Sequence, residues 1–126
     1  MLALARERAK TQEPLKAVND QWGTPTYTYD VCRQTWQMLQ TRPPSGIYHS
    51  TSEGHTTWFE FAQEIVHAFG IQVPVLPCTS QEFPRPAKRP KFGVLENQKL
   101  KQLGINMMLD WKVSFYEFVA KYKAVL

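Results

Sequence analysis

The sequence predicts an α/β fold built from short strands and about five helices. Three observations predict it. Apolar residues recur at helical spacing in several segments with recognisable starts and stops. Between them lie short candidate strands at 15–18, 46–50 and 73–77, of which 46–50 carries β-branched and aromatic residues. The two kinds of segment alternate, in the order α-β-α-β-α-β-loop-α-α, which is the α/β pattern. The strands are too few and too short for a self-sufficient sheet. At 126 residues the chain is one domain at most, and 43% hydrophobic with 21% charged residues suits a packed core over disorder.

The first helix spans Met1–Lys10, MLALARERAK, which has helix formers throughout and no breaker. It begins without a cap, as a piece of a longer helix would, and Leu2, Leu4 and Ala5 give it apolar surface. Leu15–Val18 follows as a short strand. In DQWGTPTYTYD, Asp20–Asp30, Gly23 and Pro25 mark a turn. Thr28 is the expected N-cap of the second helix, with Asp30 favoured in its first turn by the helix dipole. That helix runs to about Gln40, with Val31, Cys32, Thr35, Trp36 and Leu39 on its apolar face.

A Pro-rich link, Arg42–Gly46, leads to GIYHS, Gly46–Ser50, expected as a short buried strand. Thr57-x-x-Glu60 is a capping box. It opens a helix whose core face is Trp58, Phe61, Ala62, Ile65 and Phe69, ended by Gly70. Core packing accounts for that aromatic stripe without a cofactor. Val73–Pro77 reads as another strand, and Ser80, Gln81 and Glu82 as one helical turn. Asn97 leads a short helix through Leu100 and Leu103, closed by Gly104. Asp110 caps the last helix, with Trp111, Phe115, Phe118, Val119 and Tyr122 inward.

Chemistry concentrates in Phe83–Leu95, FPRPAKRPKFGVL. It combines Pro84, Pro86 and Pro90 with Arg85, Lys88, Arg89 and Lys91. Proline fixes φ, removes a donor and extends the residue before it, which excludes a helix or central strand here. A stiff loop holding cations at reduced entropic cost suits an anion. A solvated basic connector is the alternative. The net charge of +4 favours an anionic ligand without requiring nucleic acid. From the preceding turn, Asp20, Gln21, Thr24, Thr26 and Tyr27 offer polar atoms to a ligand, unless Asp20 and Thr24 only satisfy turn amides.

Several classes are excluded. No glycine fingerprint for a dinucleotide and no Tyr-x-x-x-Lys pair occurs within these residues. His49, His55 and His67 lack the spacing of a zinc site, and no nucleophile triad stands out. Cys32 and Cys78 form no redox or metal motif, and there is no secretory leader, so free thiols in a cytoplasmic setting are expected. No apolar run approaches the ~20 residues of a membrane span.

The motifs DQWGTPTYTYD, GIYH, the run from Gly54 to Ala62, FPRPAKRPKFGVL, Lys99-Leu100 and Leu103-Gly104-Ile105 occur here in the order found in one family. Over nearly its whole length the chain resembles the C-terminal, substrate-binding part of dTDP-4-dehydrorhamnose reductase, an extended short-chain dehydrogenase. That family reduces the 4-keto group of dTDP-4-dehydro-L-rhamnose with NADPH, the last step to dTDP-L-rhamnose, which feeds cell-wall polysaccharide. The resemblance implies a fragment, residues 1–126, that lacks the N-terminal Rossmann half, its glycine-rich loop and its Tyr-x-x-x-Lys pair. Elements within about residues 1–52 would pack on that missing half. It implies no catalytic, cofactor or metal residue in this chain, and so no activity alone.

The resemblance also implies a site. Gln21, Thr24 and Thr26 match the DQxGxPT segment at the junction of cofactor and substrate. Arg89 and Pro90 match the Arg-Pro of a segment whose arginine meets a sugar-nucleotide diphosphate in related enzymes, with Lys88 and Lys91 as weaker candidates. A guanidinium offers paired donors to phosphate and keeps its charge. Gly93 departs from the family, which usually has serine there. The expected partners are a dTDP-sugar and the missing half, or self-association, with neither nucleic acid nor membrane. Two other readings are a non-catalytic relative resembling the methionine adenosyltransferase regulatory subunit and a small basic nucleic-acid-binding module. Aromatic residues are not interleaved with the cations as base stacking requires.

Overall fold

The computed structural model describes residues 1–83, 87 and 89–125. It is a mixed α/β chain with five helices and short strands, in two compact units. One comprises Met1–Gly23 and Thr56–Gly93, the other Thr24–His55 and Val94–Leu126.

In the first unit, α1 (Leu2–Thr11) precedes β1 (Leu15–Val18), which pairs in parallel with β4 (Val75–Cys78), Leu15 opposite Val75 and Val18 opposite Cys78. Between them in sequence comes α3 (Trp58–Phe69). The capping box forms as expected: Glu60 N–H donates to Thr57 Oγ1 at 3.1 Å, and Thr57 N–H to Glu60 Oε2 at 3.0 Å. Gly70 closes the helix at φ 66°, a left-handed conformation that suits glycine. Ala5, Leu15, Ala17, Ala62 and Val73 form the core, with Phe59, Val66 and Ile71 packed against it. Ala5 on α1 and Ala62 on α3 are fully buried where α1 packs on β1 and α3 on both strands. A second pair, β2 (Trp22–Gly23) with β3 (Thr56–Thr57), is antiparallel.

Several expectations need correction in this unit. The strand expected at 73–77 begins at Val75, because Val73 is in the core ahead of the ladder and the Pro74 carbonyl accepts from Leu15 N–H. Trp58 is 41% exposed and not a core residue. Ser80–Glu82 is a turn closed by Glu82 N–H on the Thr79 carbonyl, not a helix.

The second unit holds α2 (Thr28–Thr41), α4 (Gln98–Gln102) and α5 (Trp111–Tyr122). Asp110 caps α5 by accepting from Lys112 N–H at 2.9 Å. Trp111, Phe115 and Val119 face inward, as their spacing requires, and Leu100 anchors α4. The cap of α2 is Tyr27, without a side-chain bond; Thr28 is already helical.

One reading fails here. Gly46–Ser50 is not a strand: no strand among the described residues pairs with it, Ile47 is 80% exposed, and the Tyr48 hydroxyl bonds locally to the Pro44 carbonyl. Further along the chain within this unit, Glu53 bonds through its backbone to Leu109 and Trp111, which flank Asp110. More consequential is α2, whose apolar face points outward. Trp36 and Leu39 are 63% and 65% exposed, while Asp30 and Gln34 are buried. This exposure agrees with the expectation that elements within residues 1–52 pack on a portion that this chain does not cover. Hydrogen bonds hold the polar side in: Gln34 donates to the Ile105 carbonyl at 2.9 Å and accepts from Met107 N–H at 2.7 Å.

Candidate functional site

The basic segment is held at both ends by one short stretch, Asp20–Trp22. At its start, Ser80 N–H reaches both Asp20 carboxylate oxygens at 3.0 and 3.1 Å, and the Ser80 hydroxyl donates to Oδ1 at 2.7 Å. Gln21 Nε2 donates to the same hydroxyl at 2.8 Å, so the Ser80 proton is directed at Asp20. At its end, Trp22 N–H donates to the Lys91 carbonyl at 2.7 Å and Gly93 N–H to the Trp22 carbonyl at 2.9 Å. The Ser80 bonds hold the Asp20 carboxyl below its ordinary value, with Lys91 adding a smaller pull in the same direction.

Arg89 lies between these anchors. Its side chain is exposed and makes no hydrogen bond or ion pair among the described residues. A planar fork of donors carrying a permanent charge is thus open to an anion. Lys88 and Arg85 lie outside the described residues. Gln21 is placed beside Ser80, and its carbonyl oxygen makes no bond among those described. Asp20 does satisfy an amide, but one sixty residues away and not in its own turn.

Thr24 and Thr26 belong to the other unit. Thr24 Oγ1 donates to the Gly54 carbonyl at 3.0 Å, leaving its hydroxyl only as an acceptor. Thr26 Oγ1 donates to the Thr24 carbonyl at 3.1 Å and accepts from Ser52 N–H at 3.2 Å. The two hydroxyls therefore hold Gly54 and Ser52 respectively, and both threonines are part-exposed. Gly93 has room for the family's serine: a Cβ there would lie 3.6 Å from the Trp22 carbonyl oxygen, in ordinary contact. Ser80 was missed in the sequence because nothing local marks it; only the fold brings it to Asp20. Among the described residues no group of three or more His, Cys, Asp or Glu could hold a metal.

Residues 1–124 match the family model described as RmlD substrate binding domain. The chain belongs to this family. A dTDP-4-dehydrorhamnose reductase of Burkholderia thailandensis is 36% identical over 130 aligned residues, covering 89% of this chain and 42% of its own. A crystal structure of a dTDP-4-dehydrorhamnose reductase from Clostridium acetobutylicum superposes with a TM-score of 0.89 at 39% identity, over 98% of this chain and 44% of that one. The reductase of Bacillus anthracis, solved in complex with NADP, gives 0.86 at 30% identity, over 96% and 43%. This RmlD substrate-binding domain therefore spans about two fifths of the length of the relatives it matches. No helix among its described residues is long and apolar enough to cross a membrane.

Proposed function

We propose that this RmlD domain is the sugar-nucleotide-binding portion of an NADPH-dependent dTDP-4-dehydrorhamnose reductase, acting in the cytoplasm on the last step to dTDP-L-rhamnose. The match of residues 1–124 to the family model carries the reading. The chain contributes binding. Arg89 takes the diphosphate, Lys88 adds charge, and Gln21, Thr24 and Thr26 orient the ligand. NADPH supplies a hydride to the ketone carbon in the complete enzyme, and a tyrosine outside these residues supplies the proton. The sequence holds neither the glycine-rich dinucleotide loop nor the Tyr-x-x-x-Lys pair.

The exposed apolar stripe of α2 supports a second part of the reading. Residues 1–52 contribute surface for the portion of the reductase fold that this chain does not cover, more than half of each solved relative. The regulatory-subunit and nucleic-acid readings gain no support from fold or family. Calorimetry of the 126-residue chain tests the assignment. Saturable binding of dTDP is expected, with none of NADPH. Tight NADPH binding, or indifference to dTDP at millimolar concentration, would remove it.

A further inference from the structure

We infer that Asp20, acting through Ser80, is a positioning residue that fixes the segment carrying Arg89. This rests on the proposed role of Arg89 as an anion ligand. The geometry is a pair of anchors: Ser80 and Lys91, which stand on either side of Arg89 in the sequence, are both bonded to the contiguous stretch Asp20–Trp22. One end is held by a side chain and the other by backbone. The backbone end, Trp22 with Lys91 and Gly93, does not depend on residue type. The side-chain end does.

A carboxylate is the group this end requires. Ser80 presents two donors, its N–H and its hydroxyl, and Asp20 is acceptor-only when ionised. Gln21 takes the remaining role by donating to the Ser80 oxygen. A donor in place of either Asp20 oxygen would face a Ser80 donor, and a reversed Gln21 amide would set oxygen against oxygen. Closing the loop in advance reduces the ordering cost that an anion would otherwise bear on binding.

Electrostatics sharpens the test. Asp20 is an anion near the cationic segment, and Lys91 interacts with it. Removing its charge should by itself strengthen anion binding. If Asp20 instead positions the loop, removing it weakens binding. The experiment titrates dTDP into the 126-residue chain for wild type, Asp20→Ala, Ser80→Ala, Arg89→Ala and the Asp20→Ala/Arg89→Ala pair. Amide exchange at Trp22 and Gly93 is followed alongside.

Asp20→Ala and Ser80→Ala should each weaken dTDP roughly tenfold or more, the scale of a lost charge-assisted hydrogen bond. In the Arg89→Ala background Asp20→Ala should add nothing. Trp22 and Gly93 amides should exchange faster in both single variants. Ser80→Ala changes no charge, and carries the test should Asp20→Ala fail to fold. Unchanged or tighter dTDP binding in Ser80→Ala, or additive losses in the pair, overturns the inference. Should wild type ignore dTDP, the sugar-nucleotide reading fails by itself. The exchange rates at Trp22 and Gly93 then decide the positioning role, faster supporting it and unchanged ending it.

Discussion

The Ser114 hydroxyl on α5 donates to the buried Asp30 carboxylate on α2 at 2.5 Å. The other carboxylate oxygen, Oδ1, has no hydrogen-bond partner, and Arg33 stands 3.8 Å from it. Ser114 is therefore the one close donor to a buried anion among the described residues. Ser114→Ala should cost about 1–3 kcal/mol, the penalty for leaving a buried polar group unsatisfied. Asp30→Ala should cost a similar amount, and the double variant less than the sum. Urea unfolding measures all three, and strictly additive losses would contradict the pairing.

Arg89→Ala in the completed reductase should weaken sugar-nucleotide binding by roughly 2–5 kcal/mol, the range for truncating one partner of a hydrogen-bonded charge pair. Arg89→Lys should restore only part, since lysine lacks the planar fork. Arg85→Ala, on the same segment, should matter less. Equal small effects at both arginines, measured by calorimetry, would favour a solvated connector.

Glu53 should make the second unit acid-sensitive. Burial pushes its carboxyl up, but hydrogen bonds from Lys101, Asn97 and Asn106 outweigh that and hold it below its ordinary value of 4.5. A depressed folded value favours the folded state above 4.5, and that contribution disappears as pH falls through the lowered value. Asp20 works in the same direction from an ordinary 3.8. The melting temperature should thus fall below about pH 4.5, and the fall should be shallower in Glu53→Gln. Identical acid slopes in the two proteins would show that this cluster contributes nothing.

Gly93→Ser restores the residue usual in the family at a position with room for a Cβ. It should gain about 0.4–1 kcal/mol by restricting the unfolded chain, as glycine replacements do at compatible sites. A loss of stability in thermal melts would mean that glycine is required there.

The local signals were the legible ones. The Thr57–Glu60 box, the Gly70 stop and the Asp110 cap each depend on residues within one helical turn, and all three formed. Leu15–Val18 was also legible, and it alternates buried and exposed residues about Lys16. Gly46–Ser50 has the composition of a strand but no partner here, and pairing is not a property of composition. The exposure of Trp36 and Leu39 followed from the family resemblance, but the burial of Gln34 on the opposite side of α2 was illegible because its bonds reach residues more than seventy positions away. The same distance hid Ser80 from Asp20, although the Asp20–Thr26 stretch and Arg89 were visible as candidates.

Trp36 and Leu39 give a prediction of their own. Exposed contiguous apolar surface marks an interface or an aggregation site. The 126-residue chain should self-associate in light scattering and become monodisperse when mixed with the N-terminal half of a close reductase. Trp36→Ser/Leu39→Ser should abolish both effects. A clean monomer at high concentration, unchanged by the added half, would show an independent core.

Gln34 has a consequence for redesign. Its amide meets a carbonyl with one prong and an amide with the other, so it seats like a two-pin plug that admits only one rotation of the helix. An isosteric carboxylate at that position would turn an oxygen towards the Ile105 carbonyl. The orientation of α2 is therefore keyed by polarity, separately from the greasy residues on its back. An engineer can rewrite that back for solubility and leave the key in place.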